Sequence, residues 1–347
     1  MKVAIITLFG YFNYGNRLQN LAMQEILKEL GCVVETLKFF PANISKNISE
    51  LEKLRRKEIK KWSLENIKER YIPINEKEKI INDYDYFCVG SDQIFNPKAK
   101  LIFKLNFLNF IPKGKKFTFA ASFGRGLIKK DIIHLYAKGL NKFDYKRISI
   151  REKQGITLIK KIINKDCCIH LDPTLIFSWD KFINKSKLNI NGKYILTYFL
   201  GKIPKIYVDI IKNIAKKNNF KLIDLNNIKN KKYYTINPSD FLFLIDNAEL
   251  IFTNSFHGAA FSIKNKKPFL FLETRPKMKS RLDTLFSITN LQNRKFENIK
   301  LINNLFDIDY TGIDKLLNDE RNKAFKYLCW NMGKRWLNGY RHSNVML

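Results

Sequence analysis

Short apolar runs alternate along most of the 347-residue chain with longer stretches in which apolar residues recur every three or four positions. The short runs are typical of buried strands and the longer stretches of amphipathic helices. This alternation predicts an α/β fold with mostly parallel sheets. The predicted strands are 2–9, 33–39, 86–89, 117–121, 147–150, 169–171, 194–200, 221–225, 251–253 and 268–272, and the clearest predicted helices are 17–30, 238–246 and one that begins near 313.

The chain is too long for one ordinary hydrophobic core, so we expect two domains. A stretch rich in Asn, Lys and Gly at 187–193 predicts a linker between them. We therefore expect an N-terminal α/β domain at 1–186, a C-terminal α/β domain at 187–325, and a tail at 326–347 that packs on the body. Two such domains imply a cleft, and ligands of open α/β sheets bind at the carboxyl ends of the strands.

The alternation is interrupted at about 45–82, where Lys, Glu and Ile are abundant. This segment predicts a helical insertion of one or two amphipathic helices that covers the first domain. It is either a solvated helical surface or a platform for a lipid-linked or anionic acceptor.

One polar turn stands out in the second half of the chain. A buried strand at 251–253 leads through Asn254 and Ser255 to His257, after which small residues open a helix. Free backbone N–H groups and the positive end of a helix dipole gather at such a turn and bind anions. His257 is therefore either a functional residue or a polar cap that closes the turn.

Other polar residues follow predicted strands in the first half. The loop that contains Asn13, Gly15 and Asn16 suits close approach to a ligand, although ordinary turn chemistry also explains it. Asp92 is either a helix cap or a base acting on a sugar hydroxyl. Arg151 is either an anion clamp or the partner of an acidic residue, and Asp172, which precedes a proline, is mainly a turn residue.

The chain carries 63 Lys and Arg residues against 32 Asp and Glu, a formal net charge of +31. Biased codon usage explains the many lysines but not the shortage of acids. The charge favours phosphorylated substrates, acidic lipid surfaces or nucleic acid. No nucleic-acid-binding motif supports the last of these, so we expect no nucleic-acid partner.

The five cysteines form no CxxC pair, and no metal-binding cluster is visible. No apolar run is long enough for a membrane span, and the N-terminus has no convincing signal-peptide pattern. We therefore expect a cytoplasmic protein that makes, at most, peripheral contact with the inner face of an anionic membrane.

Seven motifs, taken in order, resemble those of the polysaccharide pyruvyl transferase family. Each is weak alone, but their order makes the resemblance specific. They are Asn13-Tyr14-Gly15-Asn16, Gly90-Ser91-Asp92-Gln93, Ala121-Ser122-Phe123-Gly124, Ser149-Ile150-Arg151-Glu152, Leu171-Asp172-Pro173-Thr174, Thr253-Asn254-Ser255-Phe256-His257-Gly258 and Ser280-Arg281-Leu282.

The resemblance implies two Rossmann-like domains in a GT-B-like arrangement with an interdomain cleft, the acceptor on the N-terminal side and the donor on the C-terminal side. It implies transfer of a pyruvyl group from phosphoenolpyruvate to two hydroxyls of a sugar, in a cell-surface polysaccharide or its lipid-linked precursor, giving a cyclic ketal. No further cofactor is required. The alternative is glycosyl transfer from a nucleotide sugar on the same scaffold.

Several residues match positions that this reaction would use. We expect His257 to be the acid or a phosphate ligand, Arg151 to clamp the donor, and Asp92 to act as a base. Arg281 and Lys267 are further candidates for donor-binding charge. One position departs from the family pattern, because Ser255 stands in the donor site where better-studied members carry an arginine.

Overall fold

The structure is a computed structural model that describes residues 1–40, 48–97, 103–124, 127–274, 280–296 and 304–335. The strands are β1 (Lys2–Ile6), β2 (Val33–Phe40), β3 (Glu69–Pro73), β4 (Tyr86–Val89), β5 (Lys116–Thr118), β6 (Ser149–Ile150), β7 (Cys168–Ile169), β8 (Tyr194–Tyr198), β9 (Lys221–Asp224), β10 (Leu250–Thr253), β11 (Phe269–Leu272) and β12 (Lys295–Phe296).

Helices separate most of these strands. The helices are α1 (Tyr14–Glu29), α2 (Glu50–Asn66), α3 (Phe103–Asn106), α4 (Ile133–Leu140), α5 (Lys153–Ile163), α6 (Pro173–Ile176), α7 (Asp180–Ile183), α8 (Lys205–Lys217), α9 (Lys231–Tyr234), α10 (Pro238–Asp246), α11 (Phe256–Lys264), α12 (Ser280–Thr289) and α13 (Ile313–Asn331).

The strands form two parallel five-stranded sheets. The first has the order β3-β2-β1-β4-β5, and the second has the order β12-β11-β10-β8-β9. Strands β6 and β7 make a short parallel pair, which a bridge from Ala121 to Ile150 connects to the chain just after β5. The strand order of each sheet reverses once, between β1 and β4 in the first and between β8 and β10 in the second. The predicted α/β fold with mostly parallel sheets is confirmed.

All ten predicted strands overlap observed ones, but β3 and β12 were not predicted. Strand β3 lies inside the segment 45–82 that was expected to be a helical insertion. Its residues pair in register with β2, for example Lys38 with Tyr71, and extend the first sheet by one edge strand. Only α2 fulfils the helical prediction, with short 3-10 turns at 74–76 and 79–82, and residues 41–47 lie outside the described residues.

Helix α2 does not lie wholly in solvent on the first domain. The indole Nε1 of Trp62 donates a hydrogen bond of 2.8 Å to Oγ of Ser239, at the start of α10. The hydroxyl of Tyr234 donates to Oε2 of Glu52 at 3.1 Å, again between the two halves of the chain. The helix therefore connects the domains, which corrects the interpretation of this segment as a solvated surface of the first domain alone.

Helix α1 is buried on most of its circumference, including its polar residues. It packs between the first sheet and helices α6 and α10. Several of its amide side chains donate hydrogen bonds in place: Gln24 donates to Oγ1 of Thr36 at 2.9 Å, and Gln19 donates to Oγ1 of Thr7 at 2.9 Å. Buried amides with partners avoid the desolvation cost of unpaired groups, so α1 can form the floor between the two domains.

Helix α13 begins on the C-terminal domain and ends on the N-terminal domain. Near its start, Lys266 pairs with Asp314 at 2.7 Å. Near its end, the hydroxyl of Tyr327 donates to the carbonyl of Thr118 at 3.0 Å, and Arg147 donates to the carbonyl of Asn331 at 2.8 Å. The predicted tail boundary at 325/326 falls inside this helix, and residues 336–347, including Trp336 and Tyr340, lie outside the described residues.

The two domains share one continuous group of buried apolar side chains. Tyr14 of α1 stacks on Phe241 of α10, with ring centroids 4.9 Å apart. Trp179, just before α7, meets Phe261 of α11 edge to face at 5.2 Å. This packing sets the carboxyl edges of the two sheets against each other across a cleft.

Candidate active site

The points where the strand order reverses in the two sheets meet at one cavity of about 180 Å³. Loops that follow β1 and β4 reach it from the first domain, and loops that follow β8, β10 and β11 reach it from the second. Ligands of open α/β sheets bind at such points. The lining residues are Asn13, Asp92, Gln93, Leu200, Asn254, Ser255, Phe256, His257, Phe271, Glu273, Arg281 and Leu282.

The turn after β10 brings His257 into this cavity. Ser255 caps α11, its Oγ accepting a hydrogen bond from the backbone N–H of Gly258 at 3.4 Å. The turn is tight, because a Cβ on Gly258 would lie 2.3 Å from Oγ1 of Thr253. His257 therefore sits in the first turn of α11, 6% exposed, at the positive end of the helix dipole.

The first domain contacts the His257 ring directly. A Cβ on Gly15, in the first turn of α1, would lie 2.1 Å from Cγ of His257. Only a residue without a side chain allows α1 and α11 to approach this closely. The expected loop near the cleft thus contributes a steric contact with the histidine as well as Asn13, which lines the cavity.

Arg151 lies at the centre of a buried charge cluster. It follows β6, is 2% exposed, and forms ion pairs with Asp172 and, at 3.3 Å, with Asp92. Nε2 of His257 lies 3.9 Å from Oδ2 of Asp172, so Asp172 is shared between the arginine and the histidine. The proposed clamp and the proposed acid are thus brought together by one carboxylate.

Asp172 was interpreted from sequence as mainly a turn residue, and it does cap α6. Its Oδ1 accepts hydrogen bonds from the backbone N–H of Thr174 at 3.0 Å and from the hydroxyl of the same residue at 2.7 Å. Its Oδ2 accepts from Ser91 at 2.9 Å and also contacts Arg151 and His257. Its position after β7, at the same sheet edge as Asp92 and Arg151, was the sequence signal for this second role.

Asp92 and Asn16 connect this cluster to the loop after β1. The side-chain N–H of Asn16 donates to Oδ2 of Asp92 at 3.2 Å and to the carbonyl of Leu8 at 2.9 Å. Burial alone would raise the pKa of Asp92, but Arg151 above all, and then His257 and Arg281, lower it to about 2. Asp92 is therefore ionised throughout the neutral pH range.

Arg281 enters the cavity from α12. Its guanidinium lies 5.6 Å from the ring centroid of Phe256, and that of Arg151 lies 4.4 Å from the same ring. Burial, followed by repulsion from Arg151, lowers the pKa of Arg281 to about 10. No sequence pattern singled out Phe256, yet its ring is a neighbour of both arginines.

Two buried nitrogen atoms in this cavity have no hydrogen-bond partner among the described residues, namely Nε of Arg281 and Nε2 of His257. Leaving buried donors unpaired is costly, so such groups commonly await a ligand. Burial lowers the pKa of His257; the carboxylates of Asp172 and Asp92 oppose that shift, and the two arginines reinforce it. The ligand-free cavity therefore holds a neutral histidine beside guanidinium groups, an arrangement suited to a small anion.

One candidate does not reach the cluster. Lys267 lies between α11 and β11, at the amino end of β11, and its carbonyl accepts a hydrogen bond from the hydroxyl of Tyr310 at 2.7 Å. The site lies at the opposite, carboxyl end of that strand. The other candidates, Asn13, Gly15, Asn16, Asp92, Arg151, Ser255, His257 and Arg281, all lie at the cleft.

Among the described residues, no three His, Cys, Asp or Glu side chains are grouped so that they could hold a metal ion. Within the same part of the chain, no helix is both long and apolar enough to cross a membrane.

The sequence matches the family model described as polysaccharide pyruvyl transferase over residues 13–276. No curated protein sequence gives a significant match. Among solved structures, the chain is similar to one provisionally described as a UDP-N-acetylglucosamine 2-epimerase from Listeria monocytogenes, with a TM-score of 0.52, 14% identity, and coverage of 96% of this chain and 97% of that one. Another is a UDP-GlcNAc 2-epimerase from Neisseria meningitidis bound to UDP-GlcNAc, with a TM-score of 0.48, 11% identity, and coverage of 95% and 100%.

Two Rossmann-like domains face each other across a cleft in a GT-B-like arrangement, and the fold comparison supports this architecture. The family match covers most of the chain, including the turns that carry Asp92, Arg151 and His257. The chain belongs to the polysaccharide pyruvyl transferase family and is a transferase of polysaccharide biosynthesis.

Proposed function

We propose that this chain transfers the pyruvyl group of phosphoenolpyruvate to two hydroxyls of a sugar, forming a cyclic ketal and releasing phosphate. The proposal rests above all on the buried nitrogens of Arg281 and His257, which have no hydrogen-bond partner among the described residues. Both residues line one small cavity at the N-terminus of α11, and Asp92, which also lines it, pairs with Arg151.

The charge and size of the cavity support this donor. Phosphoenolpyruvate carries a phosphate and a carboxylate on one small carbon frame, and guanidinium groups bind both through paired hydrogen bonds. The cavity of about 180 Å³ is smaller than the roughly 300–1,000 Å³ of sites for larger ligands. A compact anion therefore fits it better than a nucleotide sugar does.

Arg281 can replace the positive charge that is missing at position 255, where this chain has a serine. Better-studied relatives carry an arginine at that position, whereas here Ser255 caps the N-terminus of α11. Arg281 is 6% exposed, lies over the neighbouring Phe256 ring and forms no ion pair among the described residues that would occupy its charge. We assign to Arg281 the donor charge that Ser255 cannot supply.

The proposed reaction conserves both atoms and charge. A proton is added to the methylene carbon of the donor, which becomes the methyl group of the product. One sugar hydroxyl attacks C2, the bond between C2 and the phosphate oxygen breaks, and a second hydroxyl closes the ring. The two hydroxyls lose two protons, one equivalent to the proton gained by carbon and the other leaving with phosphate.

His257 is the proposed acid in this sequence. It is neutral in the ligand-free cavity because burial lowers its pKa. A bound trianion would favour its protonated form, so donor binding charges the ring where the proton is needed. Asp92, with a pKa of about 2, is too weak a base to keep a proton, and we assign it to accept a hydrogen bond from the attacking hydroxyl while it orients Arg151.

The acceptor in this proposal is a glycan or its lipid-linked precursor, bound mainly by the N-terminal domain. The reaction then takes place in the cytoplasm, where phosphoenolpyruvate is made, with the basic chain resting on an anionic membrane when the acceptor is lipid-linked.

Calorimetric titration with phosphoenolpyruvate tests the donor assignment. We expect saturable binding to the unaltered protein and at least tenfold weaker binding to Arg281→Met, since a charged hydrogen bond contributes about 1.5–3 kcal/mol. Arg70→Met is the matched control, because Arg70 pairs with Asp83 at 2.8 Å, away from the cavity. UDP-glucose is titrated in parallel. Binding of UDP-glucose without binding of phosphoenolpyruvate would refute the donor assignment in favour of glycosyl transfer.

A further inference from the structure

Several exposed aromatic rings lie on the first domain, in strands β2 and β3 and in the loop after β1. Phe12 is 55% exposed, Phe40 41% and Tyr71 52%. The rings of Phe40 and Tyr71 meet edge to face at 6.3 Å, and the hydroxyls of Tyr71 and the partly exposed Tyr11 lie 3.3 Å apart. We call these four residues (Tyr11, Phe12, Phe40 and Tyr71) the aromatic surface. They follow β1 or belong to β2 and β3, towards the carboxyl edge of the first sheet.

A buried ionic group lies beneath this surface. The side chains of Lys38 and Glu69 are each 2% exposed and form an ion pair, and Arg17, whose side chain is fully buried, pairs with Glu69 at 2.9 Å. Lys38 also donates to the hydroxyl of Tyr11 at 2.7 Å, and that hydroxyl donates to Oε2 of Glu69 at 3.1 Å. The ammonium group of Lys38 lies 4.5 Å from the ring centroid of Tyr11 and 5.3 Å from that of Tyr71.

Such a group is an inefficient way to stabilise a fold. Desolvation of buried ions cancels much of their attraction, and apolar residues of similar volume often do as well or better. Burial lowers the pKa of Lys38 to about 8, against the opposing effect of Glu69. The ionic group instead positions side chains, because it fixes the hydroxyl of Tyr11, and through it the hydroxyl of Tyr71, at the rim of the aromatic surface.

The ionic group also continues into the proposed reaction centre. Nε of Arg17 donates to Oδ1 of Asn16 at 3.1 Å, and Asn16 donates to Asp92 at 3.2 Å. Phe12 immediately precedes Asn13, which lines the donor cavity. The aromatic surface and the donor cavity are thus adjacent parts of one sheet edge, joined by a chain of side-chain hydrogen bonds.

The geometry points to the aromatic surface as the subsite that holds a pyranose ring of the acceptor glycan. Aromatic rings take the apolar C–H face of a sugar. The hydroxyl of Tyr71 donates to that of Tyr11, which itself donates to Glu69, so the Tyr71 oxygen remains able to accept a hydrogen bond from a sugar hydroxyl. This inference rests on the proposed function and names the residues that bind its acceptor. Tyr11, Phe12 and Tyr71 contact the sugar, whereas Lys38, Glu69 and Arg17 are positioning residues.

A lipid surface is the main competing occupant, since exposed aromatic residues also enter membrane interfaces. Two features favour the sugar. The tyrosyl hydroxyls turn towards each other over a buried ion pair, and Arg56 lies 5.6 Å from the centroid of the Phe12 ring, with Glu52 beside it at 2.7 Å. A rim of hydroxyls and paired charges suits a hydroxylated ligand better than acyl chains.

Saturation-transfer NMR tests the inference with the full chain and three probes, the methyl β-pyranosides of galactose, glucose and N-acetylmannosamine. We expect transfer to at least one probe, reduced threefold or more in Tyr71→Ala and in Phe12→Ala. Tyr145→Ala is the matched control, since Tyr145 is 39% exposed and precedes β6, which lies beyond β5, whereas the aromatic surface lies on the β2 and β3 side of the first sheet. Its transfer should equal that of the unaltered protein.

The positioning residues are tested by rescue. Lys38→Met should reduce transfer to the same probe, and Lys38→Arg should restore most of it, because a cation then again faces Tyr11 and Glu69. Equal losses in both Lys38 variants, with intact Tyr71-dependent transfer, would refute the positioning role.

Three outcomes would overturn the subsite itself. The first is no saturation transfer to any probe, and the second is transfer that is unchanged in Tyr71→Ala and Phe12→Ala. The third is sedimentation with phosphatidylglycerol vesicles that these two substitutions weaken, while saturation transfer to the sugars stays the same. Phosphoenolpyruvate titrations of the same samples test the proposed donor separately from the acceptor subsite. If the unaltered protein binds no phosphoenolpyruvate, the donor assignment fails but the subsite does not. Tyr71→Ala should leave the affinity for phosphoenolpyruvate unchanged.

Discussion

The contact between Gly15 and His257 allows a sharp test, because a single methyl group should disable the histidine. In Gly15→Ala the new Cβ would start 2.1 Å from Cγ of His257, whereas ordinary contact requires 3.4 Å or more. The ring or α1 must therefore move by about 1.3 Å. A misplacement of about 1 Å at a reacting group can reduce rate by roughly 100-fold.

The effect on folding should be smaller than the effect on the site. Overpacking costs about 1–3 kcal/mol, but alanine in a helix is favoured over glycine by roughly 1 kcal/mol. We expect the free energy of unfolding to fall by no more than about 2 kcal/mol. Gly114→Ala is the control, since a Cβ there meets no atom within 4 Å.

Two measurements follow the site in Gly15→Ala. Histidine NMR should show a changed titration of His257, and calorimetry should show weaker binding of phosphoenolpyruvate. The His257 resonance must be assigned with His257→Gln. An unchanged titration together with unaltered donor affinity would refute the idea that Gly15 sets the position of the histidine.

Other predictions concern the buried charges. Asp172→Asn leaves Arg151 without its principal partner and should lower the free energy of unfolding by about 3–5 kcal/mol in urea titrations; a loss below 1 kcal/mol would contradict the central role of this carboxylate. Arg281→Met removes a buried charge that is unpaired among the described residues, so its thermal midpoint should equal or exceed that of the unaltered protein even though donor binding weakens; a clear fall in the midpoint would count against this view. His170 has its pKa lowered by burial to about 3, so its contribution to stability is complete above about 6.5, the unfolded value, and is lost as pH falls towards 3. Between pH 7 and pH 5 the unaltered protein should lose about 2 kcal/mol more than His170→Gln, and equal losses in urea titrations would refute this.

The sequence was sufficient for the strands whose apolar runs are buried. Strands such as β1, β4 and β10 are surrounded by other elements on both faces, so hydrophobic character alone marks them. Strand β3 escaped prediction because it is an edge strand in which Glu69 and Arg70 carry charges. Its glutamate is buried by Lys38 and Arg17, partners that no local pattern could reveal.

Most candidate site residues were found because each follows a strand, and the carboxyl ends of parallel strands meet in space. Asp172 was undervalued because its proline neighbour already explained it as a turn residue. Its partners Arg151 and His257 come from separate strands, and one of them belongs to the other domain. Lys267 was a candidate for donor-binding charge, but α11 carries the chain from His257 to the opposite edge of the sheet.

The path of α13 has a consequence for how the molecule can be divided. Because this helix starts on one domain and ends against Thr118 and Arg147 of the other, a cut in the linker does not yield two self-sufficient pieces. A fragment 1–190 would lack the helix that covers part of its core. A fragment 191–347 would contain that helix, but part of its apolar face would have no N-terminal domain to pack against. Each half supplies a part that the other needs, so the halves should regain their structure by complementation when they are produced together.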